Sequence, residues 1–318
     1  MSGPTGLTRR LVLDRAVLLA PVLGLHRRGA GDPTHRVLGD VHLRTTRTPV
    51  GPALLKVVAN GGEVAARAWG EGAAWVLDQL PRLVGEEDDV DGFVPVHPVL
   101  VEAVRRYGHY RVGRTDAVYE AMAPACLEQV VTGKEAFRAW HLLVTEFGEP
   151  GPGPATDPAS AAYGMRIPPT PAVWARVPSW TFLAAGVEER RSRTLVRTAG
   201  RAAALERTLA LGGAEADRAL RSLPGVGPWT SAEVRQRAHG DADAWSIGDY
   251  HVGKNITYAL TGEALDDAAA TELLEPYRGH RFRVQALLGL MGGVARRPRR
   301  APRMTLPTHT PYATRGRS

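Results

Sequence analysis

An α+β fold is predicted for this chain, with a small antiparallel sheet and one helix first and a mostly helical region after it. Three observations carry that prediction. Residues 35–46 and 54–69 are β-branched and alternating, with Asn60-Gly61 placed to form a hairpin turn. From Asp116 onward the apolar spacing switches to a helical period. A Gly/Pro-rich octapeptide, 223–230, then stands between two helical patterns.

Taken in order, residues 73–84 form the helix of the first unit, and an acidic, turn-rich patch at 85–93 closes it. The boundary falls near residue 112. Asp116 can cap a helix running through Met122 toward Gln129, in which Pro124 is placed to kink or break the turn. A second helix at 133–147 carries Phe137, Trp140 and Val144 on one face. The Pro/Gly-rich run 148–158 is a loop, and helical patterns resume at 171–177, 179–185, 188–211, 214–222 and 252–260. Little in this half has the period of a strand. The chain therefore divides into an N-terminal α/β domain (1–112), a helical region (113–293) and a basic tail (294–318).

Composition bounds the chemistry. With 318 residues and 44% hydrophobic content, the chain can bury one large core or two to three smaller ones. The longest apolar stretches, such as 16–25, are too short and too interrupted to span a bilayer, and no signal peptide is recognisable, so a soluble, cytoplasmic protein is expected. A single cysteine, Cys126, excludes an internal disulfide, a zinc site of several thiolates and a cubane iron–sulfur cluster. His239 and His251 lack zinc-like spacing with a third ligand and read as surface or phosphate-contacting residues.

The formal charge of +7 points to a polyanionic partner, nucleic acid first, because Lys and Arg release condensed counterions when they neutralise phosphates. A compositional bias offers a second reading: the chain has only three lysines (Lys56, Lys134, Lys254) among many Arg and Ala. Much of the excess lies in the tail, at Arg296, Arg297, Arg299, Arg300, Arg303, Arg315 and Arg317.

The most informative stretch is Leu223-Pro224-Gly225-Val226-Gly227-Pro228-Trp229-Thr230. So tight a turn between two helices needs glycine where φ is positive or another backbone comes close, and Pro228 suits the first turn of the second helix. The tip is expected to leave the amides of Val226, Gly227 and the next helical turn free for a phosphate oxygen. An ordinary αα-turn is the alternative.

With Ser246-Ile247-Gly248-Asp249-Tyr250 and a helical pattern downstream, this octapeptide resembles the helix-hairpin-helix DNA glycosylases that carry a Gly/Pro-rich loop and a following Asp. The nearest likeness is to the bacterial alkylpurine (3-methyladenine type II) branch. Arg114-Thr115-Asp116 leading to Leu127-Glu128-Gln129-Val130-Val131, and Pro276-Tyr277-Arg278 before an apolar helix, are similar to the same branch, so the resemblance covers 112–293.

The resemblance implies a base-excision-repair enzyme that flips alkylated purines of the 3-methyladenine and 7-methylguanine type out of duplex DNA and removes them hydrolytically. It makes Asp249 the catalytic carboxylate and places Trp229 and Tyr250 in the base pocket. Glu233 and Leu274 stand where well-known members carry further pocket aromatics. Gly225, Val226, Gly227, Thr230 and Lys134 fall on the DNA side, with Val130 as the wedge that fills the vacated stack and Gln129 beside it. Backbone carbonyls of Arg221, Leu223 and Val226 match a monovalent cation site for Na+ or K+; no other cofactor, iron–sulfur cluster or zinc is implied. Trp229 occupies the position where bifunctional relatives have a nucleophilic lysine, so no lyase step is expected, and Lys134 and Lys254 are the remaining nearby amines. The expected partner is double-stranded DNA containing a damaged base, with no membrane and no obligate protein partner, the chain acting as a monomer.

Chemistry supports these assignments independently. Cleaving the bond from C1′ to the base develops positive charge on the sugar, which a fixed carboxylate stabilises. An alkylated purine is cationic and is attracted to aromatic faces. Each residue also has a plainer role: Asp249 as a helix cap, Trp229, Tyr250 and Val130 as core. Two other functions remain open. One is a non-catalytic DNA-binding, damage-sensing protein, which has no need of a carboxylate that repels phosphates by roughly 1 kcal/mol at close range. The other is a glycosylase for deaminated or oxidised purines, favoured if Glu233 points inward to meet a hydrogen-bond donor.

Overall fold

A computed structural model describes residues 6–292; the tail at 294–318 lies outside the described residues. The fold is α+β, an N-terminal five-stranded antiparallel sheet followed by a mostly helical region.

Strands β1 (Leu7–Val12), β2 (His35–Leu38), β3 (Val41–Thr48), β4 (Gly51–Asn60) and β5 (Glu63–Trp69) pair in the order β1-β5-β4-β3-β2. The hairpin at Asn60-Gly61 is present: Asn60 pairs with Glu63, and Gly61 takes the positive φ of 57° that the tight turn demands. The stretch read as one strand over 35–46 is two, because Gly39 turns the chain with φ 58° and folds β2 back on β3. Helix α1 (Leu19–Gly24) lies between β1 and β2. Helix α2 (Ala73–Leu83) lays Val76, Leu77, Leu80 and Leu83 against Leu55, Val57, Val64 and Ala66 of the sheet. A further helix, α3 (Pro98–Tyr107), was not anticipated.

The helical region is built round α4 (Val118–Glu128), whose residues from Val118 to Leu127 are buried apart from Glu120. A helix buried on all sides must have its first N–H groups satisfied inside the protein. Asp116 does not do this. It takes φ 51° and turns its carboxylate to Arg82 (2.5 Å) and Arg114 (3.1 Å). The cap comes instead from Glu206, whose two oxygens accept the N–H groups of Val118 and Tyr119, both at 2.8 Å. Pro124 neither ends nor breaks α4, which runs through it.

Around α4 stand α5 (Gly133–Phe147), α6 (Pro171–Trp174), α7 (Ser179–Ala184), α8 (Glu189–Ala199) and α9 (Ala202–Glu206). The stretch 188–211 is thus not one helix: it bends after Gly200, and the bend carries Glu206 to the start of α4. The 148–158 loop contains a short strand, β6 (Glu149–Pro150), paired with β7 (Arg166–Ile167). Helices α10 (Gly213–Arg221), α11 (Pro228–Val234), α12 (Val252–Thr261), α13 (Asp267–Leu273) and α14 (Arg281–Leu290) complete the described chain.

Packing runs across residue 112. Val22, Leu100, Tyr110 and Val112 share one apolar cluster with Trp245, Ile256, Tyr277 and Leu288. Ion pairs tie the sheet side to α4 at Arg28–Glu128 (2.6 Å) and Arg44–Glu120 (2.5 Å), and Arg283 of α14 grips Asp88 with both terminal nitrogens (2.7 and 2.8 Å). Among the described residues no helix is long and apolar enough to cross a membrane.

Candidate active site

The octapeptide is a turn between the neighbouring helices α10 and α11, and its two glycines do different work. Gly225 has φ 94°, and a Cβ there would meet Thr194 Oγ1 at 2.2 Å, so both backbone and space require glycine. Gly227 has φ −93° and open space where a Cβ would stand. The fold therefore does not need glycine at 227, and the turn's outer surface is left open to a close approach there. Pro228 occupies the first turn of α11. One expectation fails: the Val226 N–H is not free, because it closes the turn on the Leu223 carbonyl (3.0 Å), and the Val226 side chain is buried. Gly227 stands at the N-cap, and Trp229 and Thr230 precede the Ser231 N–H, which bonds the Gly227 carbonyl at 3.0 Å.

Gln129, at the end of α4, fastens the hairpin. Its amide nitrogen donates to the Gly225 carbonyl and to Thr230 Oγ1, both at 2.9 Å. Thr230 is thereby buried and turned inward. Next to Gln129 the chain leaves α4 through Val130, which is 94% exposed and has φ 53°. Core packing does not explain Val130. α5 then starts with a capping box in which the Glu135 N–H donates to Thr132 Oγ1 and Glu135 Oε2 accepts the Thr132 N–H; Lys134 sits exposed in its first turn.

Asp249 lies across from the hairpin. Oδ1 accepts the N–H groups of His251 (2.8 Å) and Val252 (3.0 Å), which caps α12, and Oδ2 accepts the Trp229 indole N–H at 3.3 Å. The helix-cap role is therefore real, and it occupies one oxygen only. Trp229 is half-buried, whereas Tyr250 is 74% exposed. Tyr250 meets the His251 ring edge-on, with centroids 4.8 Å apart, and the Lys254 ammonium lies 4.8 Å from its ring centre. Tyr250 is thus a surface aromatic rather than core.

Glu233 does point inward, but it offers no free oxygen. It is 8% exposed; Oε2 accepts from Arg237 (2.6 Å) and Oε1 from the Ser246 hydroxyl (2.7 Å). Leu274 is fully buried in the second apolar cluster. His239 is half-buried rather than a free surface residue: its Nε2 lies 3.0 Å from Thr208 Oγ1, and burial lowers its pKa to about 4. Cys126 is buried, and that burial pushes its thiol up to about 12 against the opposing contact with Thr198. Sequence reasoning named the 246–250 loop but gave no role to Ser246, Gln236, Gln285 or Asp267, whose side chains hold it.

No protein-family model matches the sequence, and no curated protein matches it. Solved structures do. A 3-methyladenine DNA glycosylase from Archaeoglobus fulgidus superposes with a TM-score of 0.72 at 20% identity, covering 88% of this chain and 96% of that one. The Clostridium acetobutylicum 8-oxoguanine glycosylase/lyase, in complex with duplex DNA containing cytosine opposite 8-oxoguanine, gives 0.62 at 12% identity over 92% and 99%. Its apo form gives 0.64 at 12% over 91% and 99%. This chain shares the fold of those solved glycosylases.

Proposed function

We propose, from that shared fold, that this protein is a monofunctional DNA glycosylase that flips a damaged purine out of duplex DNA and hydrolyses its N-glycosidic bond, with alkylated purines of the 3-methyladenine and 7-methylguanine type as substrates. The observation that carries the reading is the division of labour at Asp249. Oδ1 is committed to the start of α12, so the carboxylate is held in one orientation, with Oδ2 at Trp229 next to exposed Tyr250. As the bond to the base breaks, the sugar becomes cationic; a fixed carboxylate stabilises that charge and can aid the attack of water on C1′.

The remaining residues serve delivery. The open face at Gly227 lets a phosphate approach the hairpin, Lys134 adds an exposed positive charge in the first turn of α5, and exposed Val130 would occupy the gap left by a flipped base. The Leu223 carbonyl keeps a second lone pair after accepting from Val226. With the carbonyls of Arg221 and Val226 it would hold Na+ or K+, whose charge would draw a phosphate to the turn. The reading calls for no other cofactor and for a monomer. Trp229, where a lyase lysine would stand, leaves the chemistry at hydrolysis.

One observation favours a different lesion class. The Lys254 ammonium already lies against the Tyr250 ring, and a cationic purine would compete with it for that face. Neutral deaminated or oxidised purines would not. Base release from dimethyl-sulfate-treated duplex, read beside duplexes carrying hypoxanthine or 8-oxoguanine, decides between them. Wild type is expected to release methylated purines and Asp249→Asn, which keeps the cap, to release none. A fully active Asn variant would sink the catalytic assignment, and DNA binding without release of any base would leave a damage-sensing module.

A further inference from the structure

The loop that carries Asp249 is held by side chains from other elements, and they converge on one atom. Ser246 is 1% exposed, and its hydroxyl donates to Glu233 Oε1 (2.7 Å) while accepting from Gln236 Nε2 (2.9 Å) and Gln285 Nε2 (2.9 Å). A hydroxyl has one proton and two lone pairs, so its whole capacity is used. The Ser246 N–H donates to Gln285 Oε1 (2.8 Å), completing a two-way exchange with α14, and Gln236 also reaches the Ala244 carbonyl (2.6 Å). On the other side the Ser246 carbonyl accepts the Asp249 N–H at 3.1 Å. The far end of the loop is pinned where the Gly248 N–H donates to Asp267 Oδ2 (2.6 Å).

We infer that Ser246 is a positioning residue for Asp249, with Glu233, Gln236 and Gln285 acting through it; this rests on Asp249 being the catalytic carboxylate. Because Oδ1 is consumed by the cap of α12, the direction of Oδ2 is set by where the loop puts the Asp249 backbone. That backbone hangs from the Ser246 carbonyl, and Ser246 is fixed in three directions by α11, its π-helical extension (Arg235–His239) and α14. Glu233 is the charged anchor of the hub. Arg237 neutralises it and in turn reaches the Leu25 carbonyl (3.0 Å), so the hub is also tied to the N-terminal segment. The glutamate that stands where an aromatic was expected thus supports the catalytic loop instead of facing a base. A reacting group displaced by about 1 Å can lose about a hundredfold in rate.

Ser246→Ala removes the hub hydroxyl at a buried position. On duplex carrying a purine lesion that the wild-type protein releases, with enzyme in excess, the single-turnover rate constant is expected to fall about tenfold to a hundredfold. The Kd for duplex with a stable abasic analogue is expected to stay within about twofold, since a group acting on the reacting carboxylate alone leaves ground-state binding untouched. Gln285→Leu, at a half-buried position on α14, takes two bonds from the same hub and should show the same split if Ser246→Ala fails to fold. A wild-type rate in the folded variant, or a loss of binding as large as the loss of rate, overturns the inference. Asp249→Asn in the same assay keeps the two readings apart: a fully active Asn variant defeats the catalytic assignment on which the hub depends, whereas an inert Asn variant beside a fully active Ser246→Ala defeats only the positioning role.

Discussion

Val130 shows at single-residue scale how a local cost marks a site. A β-branched side chain at φ 53° carries about 1–3 kcal/mol of strain, and here it is fully presented to solvent, where no packing repays it. Val130→Gly is therefore expected to raise the unfolding midpoint by an amount equivalent to about 1 kcal/mol, measured by urea titration, while slowing base release from duplex. Release from single-stranded DNA should change less, since no stack has to be filled there. Equal slowing on both substrates would remove the wedge role. The residue types at 129, 130 and 249 were legible in the motif; their geometry was not. Exposure and φ at Val130 follow from how α4 ends, and Gln129 turned out to be a clasp on the hairpin through contacts 96 and 101 residues away in sequence. Glu233 lay in plain view with Arg237 four residues on, an ordinary helical ion-pair spacing, and that pairing was the cue to an occupied carboxylate.

Among the elements, α4 is the one on which the others depend. It is buried, its amino end is capped from outside, and its carboxyl end delivers Gln129 and Val130. Glu206→Ala would leave two N–H groups in a largely enclosed place without acceptors, at a cost of about 1–3 kcal/mol for each group left unsatisfied. Glu206→Gln retains one acceptor oxygen and should lose less; equal urea midpoints for Ala and wild type would show that water replaces the cap. Nothing local in the sequence reports this contact, because Glu206 and Val118 are 88 positions apart. Periodicity did locate α4, α5, α10 and α11, and the glycines placed the hairpin. It passed over β1, α1 and α3, which are short or mainly polar on one face, and it ran 188–211 together because a single glycine does not interrupt a helical pattern.

For the whole molecule, the change of period near residue 112 disclosed an α+β chain but not that the parts before and after it share apolar clusters, since contacts such as Val22 with the cluster of Trp245 and Leu288, or Leu54 and Trp69 with that of Ala155 and Met165, leave no periodic trace. The same close packing buries His26 and His35 and half-buries His239, and this has a consequence for acid stability. Burial holds His26 well below its ordinary value of 6.5, lowers His35, and brings His239 to about 4. In the unfolded chain all three take up a proton near pH 6.5; in the folded protein they do so only at lower pH. The unfolded state therefore binds more protons as pH falls through this range, and stability is present above about pH 6.5 and is lost on the way down toward pH 4. Carboxylates act at the lower end of this range. Asp32, held well below the usual carboxylate range by His35 and neighbouring N–H groups against the cost of burial, matters only below its ordinary 3.8, and Glu206, raised by burial, acts in the opposite sense nearer its ordinary 4.5. The unfolding temperature is thus expected to be level above pH 7 and to fall steadily between pH 6.5 and 4. His239→Gln separates this from general charge repulsion, which the variant shares: Thr208 donates its hydroxyl proton to the Leu205 carbonyl, so His239 Nε2 is the donor to Thr208, and a glutamine amide can take over that bond without a titrating ring. A shallower fall in the variant supports the account, and an unchanged slope would show that His239 is not among the groups that set it.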